Sequence, residues 1–186
     1  NGLILFADRY NHMIRMIDSG AVGTWLGDSL NATSKDGVGS AASLHMPYGI
    51  VSAANGDVFF TESVKGRVRK VTTNKKVTTI AGGAVGYGEG TGDSAKFDTP
   101  LGLTVDAKGA VYVADSNNNA IRRVSTTGQV TTVAGQGPTA NGMVDGAGSV
   151  AKFYGPADVA IGPDGVLYVA DQKNHRIRVL KPTQQV

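Results

Sequence analysis

Four carboxylates stand out in this sequence by their position. Asp8, Glu62, Asp115 and Asp171 each close a short apolar run, and an arginine follows each by seven residues, at Arg15, Arg69, Arg122 and Arg178. A carboxylate beside a guanidinium could orient a substrate, but the same pair can tie a turn to a neighbouring strand. Because these eight positions recur most strictly, they read as structural. Asp158 differs, since its counterparts two residues after a proline are Gly49 and Gly102. A carboxylate that breaks a glycine pattern is a candidate for holding a cation or a ligand group, with a solvated or locally paired acid as the plainer reading. The histidines are His12, His45 and His175. No Gly-x-Ser-x-Gly elbow occurs, and no Ser, His and carboxylate set can be singled out by spacing. The groups Asp36-Gly37-Val38-Gly39, Glu89-Gly90-Thr91-Gly92 and Asp145-Gly146-Ala147-Gly148 look like phosphate or calcium loops. No Gly-Lys-Ser/Thr and no run of alternating carboxylates accompanies them, so tight surface turns are expected.

Composition narrows the chemistry further. The 186 residues contain no cysteine, which removes disulfides and thiolate metal sites. Eighteen basic against 15 acidic residues give a net charge of +3, without blocks of like charge, too mild a bias to argue for nucleic acid. No stretch approaches the roughly 18 consecutive apolar residues of a membrane span, and the start, Asn1-Gly2-Leu3-Ile4-Leu5-Phe6-Ala7-Asp8-Arg9, does not read as a signal peptide. Asn31-Ala32-Thr33 matches the N-glycosylation acceptor pattern, a match expected by chance in a chain of this composition. Neither a metal nor a cofactor is expected.

The elements that position these residues follow from a repeat. The four acids are spaced by 54, 53 and 56 residues. Pro47, Pro100 and Pro156 each precede a glycine by nine residues, at Gly56, Gly109 and Gly165, and each follows the acid of an acidic-Gly-x-Gly group by eleven. In the unit 97–135, apolar segments at 101–105, 111–114, 120–124 and 130–134 are separated by turn-forming residues, which predicts four short antiparallel strands. The 26 glycines and the charged fraction of 18% suit such strands and tight turns. One such sheet cannot bury both faces alone, so successive units must stack, and radial stacking makes an all-β propeller. Phe97 and Phe153, with Leu44 in the equivalent place, are expected as wedges between sheets.

In that architecture the loops joining strand two to three and strand four to the next strand one share a face, the default surface for binding. It would present Arg9, Tyr10, Asn11 and His12 from the first unit, Val64 and Lys65 from the second, Asn117, Asn118 and Asn119 from the third, and Gln172, Lys173, Asn174 and His175 from the fourth. Tyr48, Leu101, Tyr154 and Asp158 would lie near the mouth of a central channel.

The segments Tyr168-Val169-Ala170-Asp171-Gln172-Lys173-Asn174-His175-Arg176-Ile177-Arg178 and Tyr112-Val113-Ala114-Asp115-Ser116-Asn117-Asn118-Asn119-Ala120-Ile121-Arg122 resemble NHL repeats, a family named for an Asn-His-Leu motif. Asp8-Arg9-Tyr10-Asn11-His12-Met13-Ile14-Arg15 is similar, whereas the second unit departs with Lys65-Gly66 where Asn-His would stand. The resemblance implies four-stranded blades that usually close six to a ring, which at this repeat length needs about 320 residues. The single segment 1–186 is then about three and a half blades. Residues 1–27 supply strands two to four of one blade, 44–82 and 97–135 complete blades, and 153–186 strands one to three of another. Part of a six-bladed propeller of a longer protein, or an open arc that self-associates through its strand edges, is expected. Members of the family act as protein scaffolds, as single-stranded RNA readers and rarely as enzymes. A zinc lyase among them uses histidines at the channel, but His12 and His175 would face each other across a six-bladed ring, too far apart to share a metal.

The expected function is a non-catalytic scaffold contacting proteins or glycans, in an extracellular or cell-surface protein. The alternatives are a lyase-type or hydrolase-type propeller enzyme with catalytic residues partly outside this segment, and an RNA-binding domain. For RNA, Arg9, Tyr10, Lys65 and Lys173 offer only a thin basic and aromatic surface.

Overall fold

Runs of β-branched and aromatic residues broken by Gly, Asn and Asp favour short strands over helices. The computed structural model describes residues 2–181 and arranges them as eighteen strands, with helix only as three short 3-10 turns. The first sheet holds β1 (Ile4–Asp8), β2 (Met13–Asp18) and β3 (Ala21–Gly27). The second contains β4 (Gly37–Val38), β5 (Pro47–Ser52), β6 (Val58–Glu62), β7 (Arg67–Val71) and β8 (Lys76–Ala81), in the spatial order β4-β8-β7-β6-β5. After β9 (Ala84–Val85) come β10 (Gly90–Thr91), β11 (Lys96–Phe97), β12 (Pro100–Val105), β13 (Val111–Asp115), β14 (Ala120–Val124) and β15 (Gln129–Ala134). The third sheet repeats the order of the second, as β10-β15-β14-β13-β12, while β9 and β11 pair in parallel within the link between sheets. The fourth is β16 (Pro156–Ile161), β17 (Leu167–Asp171) and β18 (Arg176–Leu180).

The repeat survives as register. Val58 pairs with Val71 and Glu62 with Arg67 in the second sheet, and Val111 with Val124 and Asp115 with Ala120 in the third. The innermost strands β5, β12 and β16 all carry an irregularity just after their leading proline. The acidic-Gly-x-Gly groups depart from expectation. They are not free surface turns, because Gly37–Val38 and Gly90–Thr91 form a fifth strand on the outer edge of the sheet that follows them in sequence. An outer strand leaves a row of backbone groups unpaired, and this short segment satisfies part of it. The third copy, Gly146-Ala147, lies before a sheet whose outermost described strand is β18, and it forms no strand.

The core consists of layers between sheets. Leu44 packs with Ile14 and Leu26 of the first sheet and Phe60 and Val77 of the second. Phe97 lies among Phe59, Val68, Val111 and Val124, and Phe153 among Tyr112, Ile121, Val159 and Val169. All three wedges are buried, and the first layer offsets its smaller wedge, Leu44, with Phe60 where the later units have Val113 and Val169. Burial depends on the next sheet being present: Ile121 is 0% exposed, whereas Ile177, at the same place in the fourth sheet, is 68% exposed. The molecule is thus a partial propeller with one blade per repeat.

Glycine makes the close approaches possible. A Cβ on Gly102 would stand 2.8 Å from the Asp158 Cα, and one on Gly49 would stand 2.5 Å from the Leu101 carbonyl oxygen, which lets adjacent inner strands converge toward the axis. Gly135, at the end of β15, has φ +99, and a Cβ there would lie 2.3 Å from the Asn119 carbonyl oxygen. By contrast, Gly165 has φ +79 with open space around it. Gly165→Ala should therefore cost about 1–2 kcal/mol of left-handed strain. Gly135→Ala should cost at least about 2 kcal/mol more, because backbone must also move. Urea unfolding midpoints check this, and equal losses would refute close approach as the reason for Gly135.

Candidate functional site

The recurrent acids and arginines form a buried latch. Asp115 accepts hydrogen bonds from the Asp98 amide (2.9 Å), Asn118 Nδ2 (2.8 Å) and Arg122 Nη1 (2.9 Å). Asp171 accepts from the Tyr154 amide (2.8 Å), Asn174 Nδ2 (2.8 Å) and Arg178 Nη1 (3.1 Å). Each arginine also binds the incoming link: Arg122 Nη2 donates to Gly88 O and Arg178 Nη2 to Val144 O, both at 2.9 Å. Its guanidinium lies over the wedge ring, at 5.5 Å for Arg122 on Phe97 and 5.3 Å for Arg178 on Phe153. In the second blade Glu62 accepts from the His45 amide (2.7 Å) and Arg69 (2.8 Å), and the Ser34 hydroxyl takes the place of the missing asparagine. Asp8 and Arg15 make a looser, part-exposed pair at 3.4 Å.

This latch corrects part of the expected binding face. Asn118, 1% exposed, and half-buried Asn174 bind the acids and the link carbonyls Gly86 O and Gly142 O, so neither is presented to a partner. Asn11 also donates to Asp8 but stays exposed on the face. The motif asparagine is held inward because a buried carboxylate needs donors on its second oxygen. The next residue is left-handed in every unit, with φ 57 at His12, 62 at Gly66, 50 at Asn119 and 53 at His175. Asn119 accepts from the Gly155 amide (2.9 Å), and His12 Nδ1 accepts from the Met46 amide (3.1 Å), so both tie their turn to the start of the next blade.

What remains outward is aromatic and cationic. Arg9 lies over the rings of Tyr10 and Tyr48, at 5.4 and 5.2 Å, and Lys173 Nζ lies 4.9 Å from the Tyr154 ring centre. Asn117 is exposed and donates to Asp98 Oδ1 (3.0 Å), while His175 and Val64 are exposed. Burial, and then the charge of Lys65, disfavour protonation of His45. Asp158 lines a cleft of about 460 Å3 between the three inner strands, with Tyr48, Gly49, Gly102 and Ala157, and accepts from the Val159 amide at 2.8 Å. Among the described residues no group of three or more His, Cys, Asp or Glu gathers to hold a metal. The residue missed from sequence is His45, whose ring is 5.3 Å from that of His12. The available signal was its place directly after the wedge Leu44, where the other units have Asp98 and Tyr154.

A family model described as NHL repeat matches residues 97–124 and 153–180, the third and fourth units. NHL repeat-containing protein 2 of Bos taurus is 36% identical over 154 residues, which are 75% of this chain and 21% of that protein. Teneurin-3 of Danio rerio is 28% identical over 211 residues, 97% of this chain and 8% of that protein. The chain thus spans about a fifth or less of the curated relatives it matches. An auxiliary nutrient binding protein from Bacteroides thetaiotaomicron superposes with a TM-score of 0.79 at 19% identity, over 97% of this chain and 45% of that one, a likeness of fold.

Burial pushes the Asp115 carboxyl up to about 6, against the opposing pull of Asn118, Arg122 and the Asp98 amide. The folded chain then holds a proton that the unfolded chain releases at its ordinary 3.8, so this group's contribution to stability falls as pH rises between them. The unfolding free energy of wild type minus that of Asp115→Asn should decrease from about pH 4 to 6 in urea titrations, and an increase would contradict it. At neutral pH, Arg122→Met should cost about 3–5 kcal/mol by leaving a buried acid unpaired. Arg15→Met, at the part-exposed pair, should cost about 1 kcal/mol or less.

Proposed function

We propose that this chain, an NHL-repeat β-propeller segment, is a protein-interaction module that works through its loop face. The supporting observation is what the latch leaves there. Asp8, Glu62, Asp115 and Asp171 turn inward onto their arginines, while Tyr10 is 76% exposed and Tyr48 and Tyr154 are also exposed, braced by Arg9 and Lys173. Tyrosine and arginine supply large, rigid contact area at low entropic cost and dominate protein-binding hot spots. The exposed rings also offer stacking surfaces to a glycan, and we include glycans as the second partner class.

An extracellular or cell-surface setting belongs to the same proposal. Exposed Asn31 in its acceptor tripeptide, with the Thr33 hydroxyl donating to Asn31 Oδ1 at 2.9 Å, is compatible with it. Protease treatment of intact source cells tests the setting, since an intracellular protein would survive it.

Lysine-directed cross-linking after capture of a partner tests the face. Lys65 and Lys173 lie in the loops of the proposed surface, and Lys76 and Lys108 at the opposite ends of the strands. Cross-links to the partner should concentrate at Lys65 and Lys173, and a predominance at Lys76 and Lys108 would defeat the reading.

A further inference from the structure

On the face opposite the loops, the first two junctions between blades are built alike but filled differently. The last strand of each blade carries one bulge residue that the ladder skips. In β3 it is Trp25, between the pairs Ile14–Leu26 and Arg15–Thr24, and in β8 it is Ile80, between Val68–Ala81 and Arg69–Thr79. The final hairpin turn of the next blade lies against it. Lys75 and Gly128 hold the same left-handed place in those turns, with φ 62 and 81, and their carbonyls accept from the amides of Gly39 and Gly92, both at 3.0 Å. Lys75 Nζ reaches the Trp25 carbonyl at 3.4 Å, and a Cβ on Gly128 would stand 2.8 Å from the Ile80 carbonyl oxygen.

At the first junction Trp25 packs against the layer around Leu44 and Phe60, and Lys75 Nζ caps its ring at 3.5 Å from the centre. At the second, isoleucine replaces the indole and glycine replaces the lysine. Phe59, at the register of Leu5, returns less volume than those two changes remove. A cleft of about 320 Å3 is left, bounded by Phe59, Ile80, Ala53, Ala107, Ser125 and Thr126. Its volume falls in the range of small-molecule sites, about 300–1,000 Å3, and apolar walls hold water poorly.

The charges around this cleft balance. Asp57 and Lys70 pair at 2.7 Å, and Asp106, which accepts the Lys108 and Ala110 amides at 2.9 Å, faces the same cleft as Lys108. An ionic guest therefore gains nothing from the sign of the site. Lys70 Nζ already lies 5.8 Å from the Phe59 ring, and a second ring beside these ammonium groups would repeat the arrangement of Lys75 on Trp25. We propose that the cleft between the second and third blades binds a small neutral aromatic molecule of one or two rings. The guest takes the place that the chain fills with its own indole one junction earlier. The site lies away from the loop face and stands or falls independently of the interaction reading.

Indole titrated into the intact chain, followed through backbone amide signals by NMR, tests this. The Gly109 and Thr126 amides should shift and saturate with a dissociation constant of about 1 mM or tighter. Gly165, at the matching turn of the fourth blade, should stay unmoved. Cyclohexanol should bind about fivefold more weakly, having no ring face for the cations and Phe59. Ile80→Trp, which copies the first junction, should abolish binding. Ala107→Trp, at an exposed position on the mouth, should do so without touching the core and keeps the test open if the first variant fails to fold. Thermal unfolding checks both. N-acetyl-tryptophanamide separates a free molecule from a ring carried on a partner chain, and it should bind more weakly than indole. The site is overturned if Gly109 and Thr126 do not saturate, if Gly165 shifts in parallel, if cyclohexanol serves as well, or if either folded variant binds indole like wild type. Equal or tighter binding of the amide would also overturn it, by making the cleft a dock for a peptide side chain.

Discussion

The second, third and fourth blades each hang on one buried carboxylate. A thin sheet of short strands has no interior of its own, so it gains stability only when the neighbouring blade covers it. The acid at the end of the second strand joins the turn that follows it, the arginine of the third strand and the link that brings in the wedge. Asp115 shows this in full, with Asn118, Arg122 and the Asp98 amide converging on its two oxygens, and Arg122 reaching on to the Gly88 carbonyl. The ion pair is worth little as a source of net stability, since two desolvated charges largely cancel their own gain. Its contribution is to set where the link crosses, and hence where Phe97 enters the layer between blades.

The second blade shows how tolerant this arrangement is of sequence. Glu62 stands for aspartate, Lys65 for the motif asparagine, and Leu44 for the phenylalanine wedge. Ser34 from the link supplies the missing donor, and Phe60 on the second strand returns the aromatic volume to the same layer. Close packing conserves volume and donor count more strictly than residue identity.

The loop face inherits its character from the latch. Drawing the acids onto their arginines removes equal charge of both signs and leaves Tyr10, Tyr48 and Tyr154 outward beside Arg9 and Lys173. The same geometry makes the first junction unlike the others. There the link residue is His45 and the left-handed turn residue is His12, so two rings meet where the next junctions have Gly66 with Asp98 and Asn119 with Tyr154.

The repeat, the four-stranded units, the wedges and the acid-arginine pairs could be read from sequence alone, because they recur at fixed spacing and spacing is a property of the chain. The inward role of Asn118 and Asn174 could not, since a polar turn residue looks the same whether it faces water or a buried oxygen. Nor could the fifth strand formed by Gly37–Val38 and Gly90–Thr91, whose partners β8 and β15 lie some forty residues downstream. The pairing of His12 with His45 spans 33 residues and two blades. Such contacts depend on how the link folds back over the preceding turn, and only the stacked blades decide that.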